Sequence, residues 1–401
     1  MQGDATVPRE PRIKVTAVIN DISLGGAQAV LLGIASLVDK GAFDFNVCYL
    51  NDYPPGDRPD FEKEFLAAGI PLANLARGMK HRPVTSFFRL LAHLRHERPD
   101  ILHCCLPDSV IMGAFAGRLA GVKSVIIHEM NTHNFYSRKL EFFFKIARLF
   151  SNLTISYSEV LETELFGDCE ILQRPVTSIT RKSYTVYNGV DLAKVDEVKR
   201  TISRDQKRKE LGVAPDALLI FSAARLIGWK GFEYLVRAAP KVLAVCPNAV
   251  ILIAGGGEQG PFLRTLIDEL HVGQSVRLLG PRTDIYEILA VSDMYPQAYA
   301  YPDGVSSISI SMAGMEAMAF GLPIVASRYP ALYEHIENKE NALIVEPRDI
   351  DGIASALIFL ANDKDARERI GKNARRFVED YFSSRKVVLI YESLYRALFR
   401  N

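Results

Sequence analysis

The chain has 401 residues, 48% of them hydrophobic, and a formal net charge of +1. That is too long for one ordinary core, so two globular domains are expected, and near-neutrality gives no support to nucleic acid as a main partner. Five cysteines, an odd number with Cys104 and Cys105 adjacent, argue against a disulfide framework, show no zinc spacing and fit a reducing cytoplasm. The first ten residues contain no apolar segment and no run approaches eighteen apolar residues. Neither a secretion signal nor a membrane span is therefore expected, and any membrane contact is peripheral.

In chain order, a strand is predicted at IKVTAVIN (13–20), a helix at 28–40 and a strand at FNVCYL (45–50). Further strands follow at DILHCC (100–105), SVIIHE (124–129) and LTISYS (153–158), with amphipathic stretches between them. Apolar strands alternating with helices predict a parallel sheet covered on both faces. Two of the helical stretches carry bases among aromatics: one with His81, Arg82, Arg89, Arg95, His96 and Arg98, the other from Tyr136 to Phe150. Either could touch an anionic membrane surface, but the simpler reading is a packed helix with a solvated basic face.

Around 190–212 the pattern gives way to charged, weakly periodic residues, which marks a domain boundary. The alternation restarts with LLIFSAAR (218–225), AVILIAGG (249–256), SVRLLG (275–280), PIVAS (323–327) and ALIVEP (342–347). The domains are placed at 1–200 and 201–383. A last helix, from about Ser384 to Phe399, carries Val388, Tyr391, Leu394, Tyr395 and Leu398 at helical spacing and needs a surface to cover.

The most informative stretch is SAARLIGWKGFEYL, from Ser222 to Leu235, where a strand ends, Arg225 and Lys230 follow five apart, and a helix opens at Gly231. A guanidinium fork and an ammonium presented together at the carboxyl end of a strand suit a diphosphate better than a core. About ninety residues on, a small-residue helix opening near Ser311 and closing at Gly321 holds one acid, Glu316. Its opening amides and positive dipole end suit the same phosphates. GGGEQG (255–260) satisfies G-x-G-x-x-G, but it lies one unit after the first strand of its domain, and no acid ends the next strand to hold a ribose, so a dinucleotide site is not favoured. Asp349-Ile350-Asp351 follows Pro347 and precedes an amphipathic run, which reads as helix capping rather than a metal site. Trp229 is expected to pack between the domains.

Together GGAQAVLLGIA after the first strand, RPDILHCCLPDS, VYNGVD, AARLIGWKGFEYLVRAAP, AVILIAGGGEQ and MEAMAFGLPIVAS resemble family 4 retaining glycosyltransferases of the GT-B fold, over about residues 12–400. The resemblance implies two doubly wound, Rossmann-like domains facing across a cleft, the first on the acceptor side and the second on the donor side, with residues 384–401 packing back on the first. It implies transfer of a sugar from a nucleoside-diphosphate sugar, UDP-sugar favoured, to a glycan, lipid-linked or small-molecule acceptor. No cofactor or metal is implied, and the setting would be the cytoplasm, at the inner face of the membrane where the acceptor is a lipid. By the same resemblance, Arg225 and Lys230 stabilise the diphosphate leaving group, Ser309, Ser311 and Met312 bind donor, and Glu316 takes the ribose hydroxyls. Arg282 lies where the family places the base, Gly25 and Gly26 allow close backbone approach, and His103 is the catalytic candidate on the fourth strand.

The chain also departs from the family pattern. Ile308 stands where the first acid of Glu-x7-Glu belongs, with Asp303 as a neighbouring substitute; Cys105 stands where many relatives have a second histidine; and Gln28 replaces a frequent acid. Ile308 and Cys105 keep open a nucleotide-sugar-binding partner subunit without turnover, and residues 255–260 keep open an NAD(P)-dependent oxidoreductase.

Overall fold

The structure is a computed structural model that describes residues 11–51, 60–76, 83–130, 137–301, 311–329 and 336–400. The chain forms two compact units, the first running to Gly189 and taken up again from Ser384, the second spanning Val190–Ser383. The unit border thus falls at 189/190, not at 200/201.

The first unit begins with β1 (Ile13–Ile19), α1 (Gly26–Leu37), β2 (Phe43–Tyr49), α2 (Glu62–Ala67), β3 (Leu72–Asn74) and α3 (Pro83–Glu97). It continues with β4 (Ile101–Cys105), α4 (Pro107–Ala120), β5 (Ser124–Glu129), α5 (Arg138–Leu149), β6 (Leu153–Ser156), α6 (Glu159–Phe166) and β7 (Ser183–Thr185). All pairings are parallel, in the order β3-β2-β1-β4-β5-β6-β7. Every residue of β4 and β5 is buried, because helices cover both faces of the sheet.

The second unit opens with α7 (Leu192–Thr201), α8 (Arg204–Glu210), β8 (Leu218–Ala223), α9 (Phe232–Val245), β9 (Ala249–Ala254), α10 (Gly260–Glu269) and β10 (Val276–Gly280). Next come α11 (Ile285–Val291), β11 (Tyr295–Gln297), α12 (Met312–Ala319), β12 (Ile324–Ser327), β13 (Leu343–Val345), α13 (Ile350–Asn362) and α14 (Lys364–Tyr381). Two three-stranded ladders, β10-β9-β8 and β11-β12-β13, are joined by a parallel bridge between Ile220 and Met294. The resulting order has the same 3-2-1-4-5-6 form as the first six strands of unit one, with the chain reversing its direction of travel beside the first strand. The charged stretch expected to link domains belongs to this unit for a physical reason. Arg208 on α8 is buried, donates to the carbonyls of Val291 and Ala217, and pairs with Asp293 at 2.7 Å.

The last helix, α15 (Ser384–Arg400), returns to unit one and packs on α1, β1 and β4. The expected stripe of Val388, Tyr391, Leu394, Tyr395 and Leu398 is buried there. No helix among the described residues is long and apolar enough to cross a membrane.

Candidate functional site

In the second unit Arg225 and Lys230 follow β8, and Ser311 and Met312 open α12 after β11, the neighbour of β8 at the reversal point. Arg225, two residues past β8, is exposed. The loop that carries it is pinned from below: Leu226 N–H donates to Gly256 O and Gln259 N–H donates to Leu226 O, each at 2.9 Å. This accounts for the glycines of GGGEQG. A Cβ on Gly255 would lie 1.9 Å from Ala224 O and one on Gly257 2.4 Å from Leu226 O, with φ at +141° and +152°. These glycines serve packing against the Arg225 loop, which removes the ground for a dinucleotide fingerprint.

A turn of 3-10 helix, Gly228–Lys230, ends at Gly231, whose φ is +67° and whose Cβ would fall 1.7 Å from Ala298 O. Only glycine fits, and the chain there turns directly into α9. Lys230 is thereby held among rings. Its Nζ donates to Tyr299 Oη at 2.7 Å and sits 4.1 Å from the Tyr299 ring centroid and 4.3 Å from that of Trp229. Trp229 stacks on Tyr301 at 4.9 Å, so its neighbours include residues of its own unit that the sequence reading did not foresee. Desolvation among these rings, with Arg225 nearby, pulls the Lys230 ammonium down to about 7.

Ser311 caps α12: its Oγ accepts from Gly314 N–H at 3.0 Å and donates to Gln297 Oε1 at 2.8 Å. Met312 is the first residue of this helix, and the small residues of its inner face, Gly314, Ala317 and Ala319, let it pack closely. Glu316 accepts from Tyr286 Oη at 3.2 Å, and burial pushes its carboxyl up to about 7. Ser309, Ile308 and Asp303 lie outside the described residues.

Arg282, expected beside a base, is forked onto an acid. Its Nε and Nη2 meet the two oxygens of Asp284 at 2.7 and 2.5 Å, and Nη2 also reaches Glu210 at 3.4 Å. Burial raises the Asp284 carboxyl, but Arg282 and Lys207 outweigh it and hold it at about 2. The Nε/Nη2 edge of Arg282 is therefore engaged within the unit, and contact with a ligand falls to Nη1 and the guanidinium plane.

In the first unit, Gly25 is the extended N-cap of α1 and Gly26 its first residue; neither has a positive φ. A Cβ on Gly25 would meet Gln28 Oε1 at 2.5 Å. Gln28 is buried and donates to Asp21 Oδ1 at 3.1 Å, so it ties the turn to the end of the strand.

The catalytic expectation for His103 is corrected. It lies mid-strand, fully buried, with Nδ1 2.8 Å from Tyr395 Oη and Nε2 3.2 Å from His128 Nδ1, and His128 Nε2 continues to Tyr391 Oη at 3.1 Å. Burial lowers the His103 imidazole to about 3, and neither ring nitrogen is left for a substrate. Its neighbours were missed because Tyr391 and Tyr395 read only as members of an apolar stripe. With Cys105, these two histidines form the one cluster of possible metal ligands among the described residues, and it is wholly buried. Asp349 caps α13 by accepting from Gly352 N–H at 2.8 Å, and Asp351 pairs with Lys241.

Doubly wound units and a paired Arg225/Lys230 at the end of a first strand define a nucleotide-sugar type of transferase fold. The family model described as glycosyl transferases group 1 matches residues 203–377. A Haemophilus influenzae glycosyltransferase is 31% identical over 366 residues, covering 91% of this chain and 94% of the relative. The chain belongs to this glycosyltransferase family. It is also similar to the Escherichia coli UDP-Gal:alpha-D-GlcNAc-diphosphoundecaprenol alpha-1,3-galactosyltransferase, at 26% identity over 391 residues, covering 96% of this chain and 97% of the relative. Among solved structures, Anabaena HepE in complex with UDP and glucose matches with a TM-score of 0.77 at 20% identity, covering 96% of this chain and 99% of that one, and shares the GT-B fold.

Proposed function

We propose that this chain transfers a sugar from a UDP-sugar to a lipid-linked glycan acceptor, with retention of configuration and without a metal ion. The observation that carries the reading is the placement of Lys230, with Arg225 nearby, after β8, and of the capped N-terminus of α12 after the neighbouring β11. As the bond from the anomeric carbon to the diphosphate breaks, its electron pair and the negative charge go to the leaving phosphate. The acceptor hydroxyl oxygen bonds to the same carbon on the same face, and its proton passes to the departing phosphate oxygen. Two preorganised cations stabilise that charge more in the transition state than in the ground state. Glu316 then serves the ribose hydroxyls as acceptor. The UDP in the HepE structure and the lipid diphosphate named for the Escherichia coli relative support the choice of donor and acceptor. The test is a panel of UDP-, GDP- and ADP-sugars with polyprenyl-diphosphate-linked acceptors. Product with inverted configuration, or no product from any UDP-sugar, overturns the reading. Turnover is expected to survive EDTA, and loss restored by magnesium or manganese would show that the charge compensation is misassigned.

A pH dependence follows from the two groups near 7. An anionic diphosphate favours the charged form of Lys230, so above pH 7 binding must draw a proton from solvent, and affinity falls by up to about tenfold per unit. Below pH 7 Glu316 takes a proton and loses acceptor capacity, so UDP affinity should peak near neutrality. Calorimetry at pH 8 in buffers of different ionisation enthalpy should show proton uptake that Lys230→Met removes; equal heats in all buffers would contradict the assignment.

A further inference from the structure

Helix α5 carries a second ridge that faces away from its own core. Phe144 and Ala147 join the apolar cluster shared with Leu90 and Leu94 of α3 and Val110 of α4, and Leu140 packs against it. On the opposite side Arg138, Phe142, Lys145 and Leu149 recur at intervals of four, three and four residues, which aligns them along one exposed face. Phe142 is 59% and Leu149 81% exposed, and Phe143 and Phe150 flank them. A merely solvated outer face would place polar residues at 142 and 149. Three bases, Arg138, Lys139 and Lys145, outnumber the one acid among them, Glu141, which is half-buried. Arg148 pairs with Glu129 at 3.1 Å and takes no part.

We propose that this ridge of α5 docks the first unit onto an anionic lipid bilayer, with Phe142 and Leu149 entering the interface and Arg138, Lys139 and Lys145 meeting the headgroups. Long basic side chains lay their stems along apolar surface and keep the charge among phosphates, so the alternation of base and apolar residue suits a bilayer. A second copy of the chain fits less well, because a two-fold contact through this ridge would gather the bases of both copies in one interface without adding acids to balance them. The proposal extends the lipid-linked acceptor reading, but vesicle binding needs no donor, so its failure leaves the transferase reading standing.

The experiment is co-flotation of the full chain with phosphatidylcholine vesicles with and without phosphatidylglycerol, at low and high salt. Binding is expected only with phosphatidylglycerol, weakened by salt, and reduced at least about tenfold by Phe142→Ser/Leu149→Ser and by Lys139→Glu/Lys145→Glu. Both pairs are exposed, and unchanged melting and UDP affinity would show that each variant is folded. No binding to phosphatidylglycerol, binding that neither pair affects, or a dimer that Phe142→Ser/Leu149→Ser dissolves would overturn it.

Discussion

Replacing Lys230 by alanine is expected to lower kcat by about 10²–10³-fold, the loss typical of one preorganised donor at a developing negative charge. The double change Arg225→Ala/Lys230→Ala should remove nearly all transfer and weaken UDP binding as well. Stability should move the other way. The folded lysine loses its proton near pH 7, whereas an unfolded one keeps it to 10.5. Between those values the unfolded state binds more protons, so the cost of the confined charge is present below pH 7 and relieved as pH rises. Lys230→Met, which keeps the apolar stem among the Trp229 and Tyr299 rings, should therefore raise the melting temperature of the ligand-free protein at pH 7 while abolishing turnover. A residue kept for packing would show the opposite pair of effects. Wild-type transfer in the double variant would overturn the assignment of this site.

Removing α15, residues 384–401, should unfold or strongly destabilise the first unit. Five buried side chains on one stripe contribute roughly 1.5–3 kcal/mol each before the entropy of ordering the helix is subtracted. Milder changes localise the effect. Tyr395→Phe leaves His103 Nδ1 buried without its phenol, and Tyr391→Phe does the same to His128 Nε2, at a cost of about 1–3 kcal/mol each. In a unit of this size that corresponds to a fall in melting temperature of about 2–12 °C. The same chain of rings sets an acid limit. Burial holds both histidines neutral in the folded state, so stability is unaffected above the ordinary imidazole value near 6.5 and is lost below it, by about 1.4 kcal/mol per pH unit for each histidine. Melting curves of wild type and both phenylalanine variants between pH 4 and 8 check this; a truncated protein that melts like the full chain would reject the role given to α15.

Much of the fold was legible because its signals are local. The apolar runs at 13–20, 100–105, 124–129, 218–225 and 249–256 contain strands, since nearly all the strand residues are buried; Lys14 is the exposed exception. Arg225 and Lys230 could be singled out because a cation just past an apolar strand has no core reason to be there. Asp349 read as a cap for an equally local reason: its carboxylate bonds an amide three residues on. The exposed ridge of α5 was half legible. The bases and aromatics of 136–150 were visible, but only packing distinguishes Phe144, which is buried, from Phe142, which is not.

His103 shows where such reading stops. Its position on the fourth strand matched a catalytic pattern, yet its role depends on Tyr395, 292 residues later, and on His128 on the neighbouring strand. Arg282 likewise has partners that its position did not announce, since its Nε/Nη2 edge is held by Asp284 and Glu210. The residue order by itself determined the longer apolar strands, the cap at Asp349, the parallel sheets and the cations after β8, because hydrophobic period, capping and strand ends act over a few residues. The three-residue strands β3, β7 and β11 were too short to announce themselves. Only the tertiary structure decided what surrounds those groups. Lys230 meets Tyr299 across 69 residues and Arg208 meets Asp293 across 85, contacts created by the order of strands in a sheet. Burial and charge at such contacts set protonation, and protonation decides whether a lysine is a phosphate ligand or a histidine part of a core.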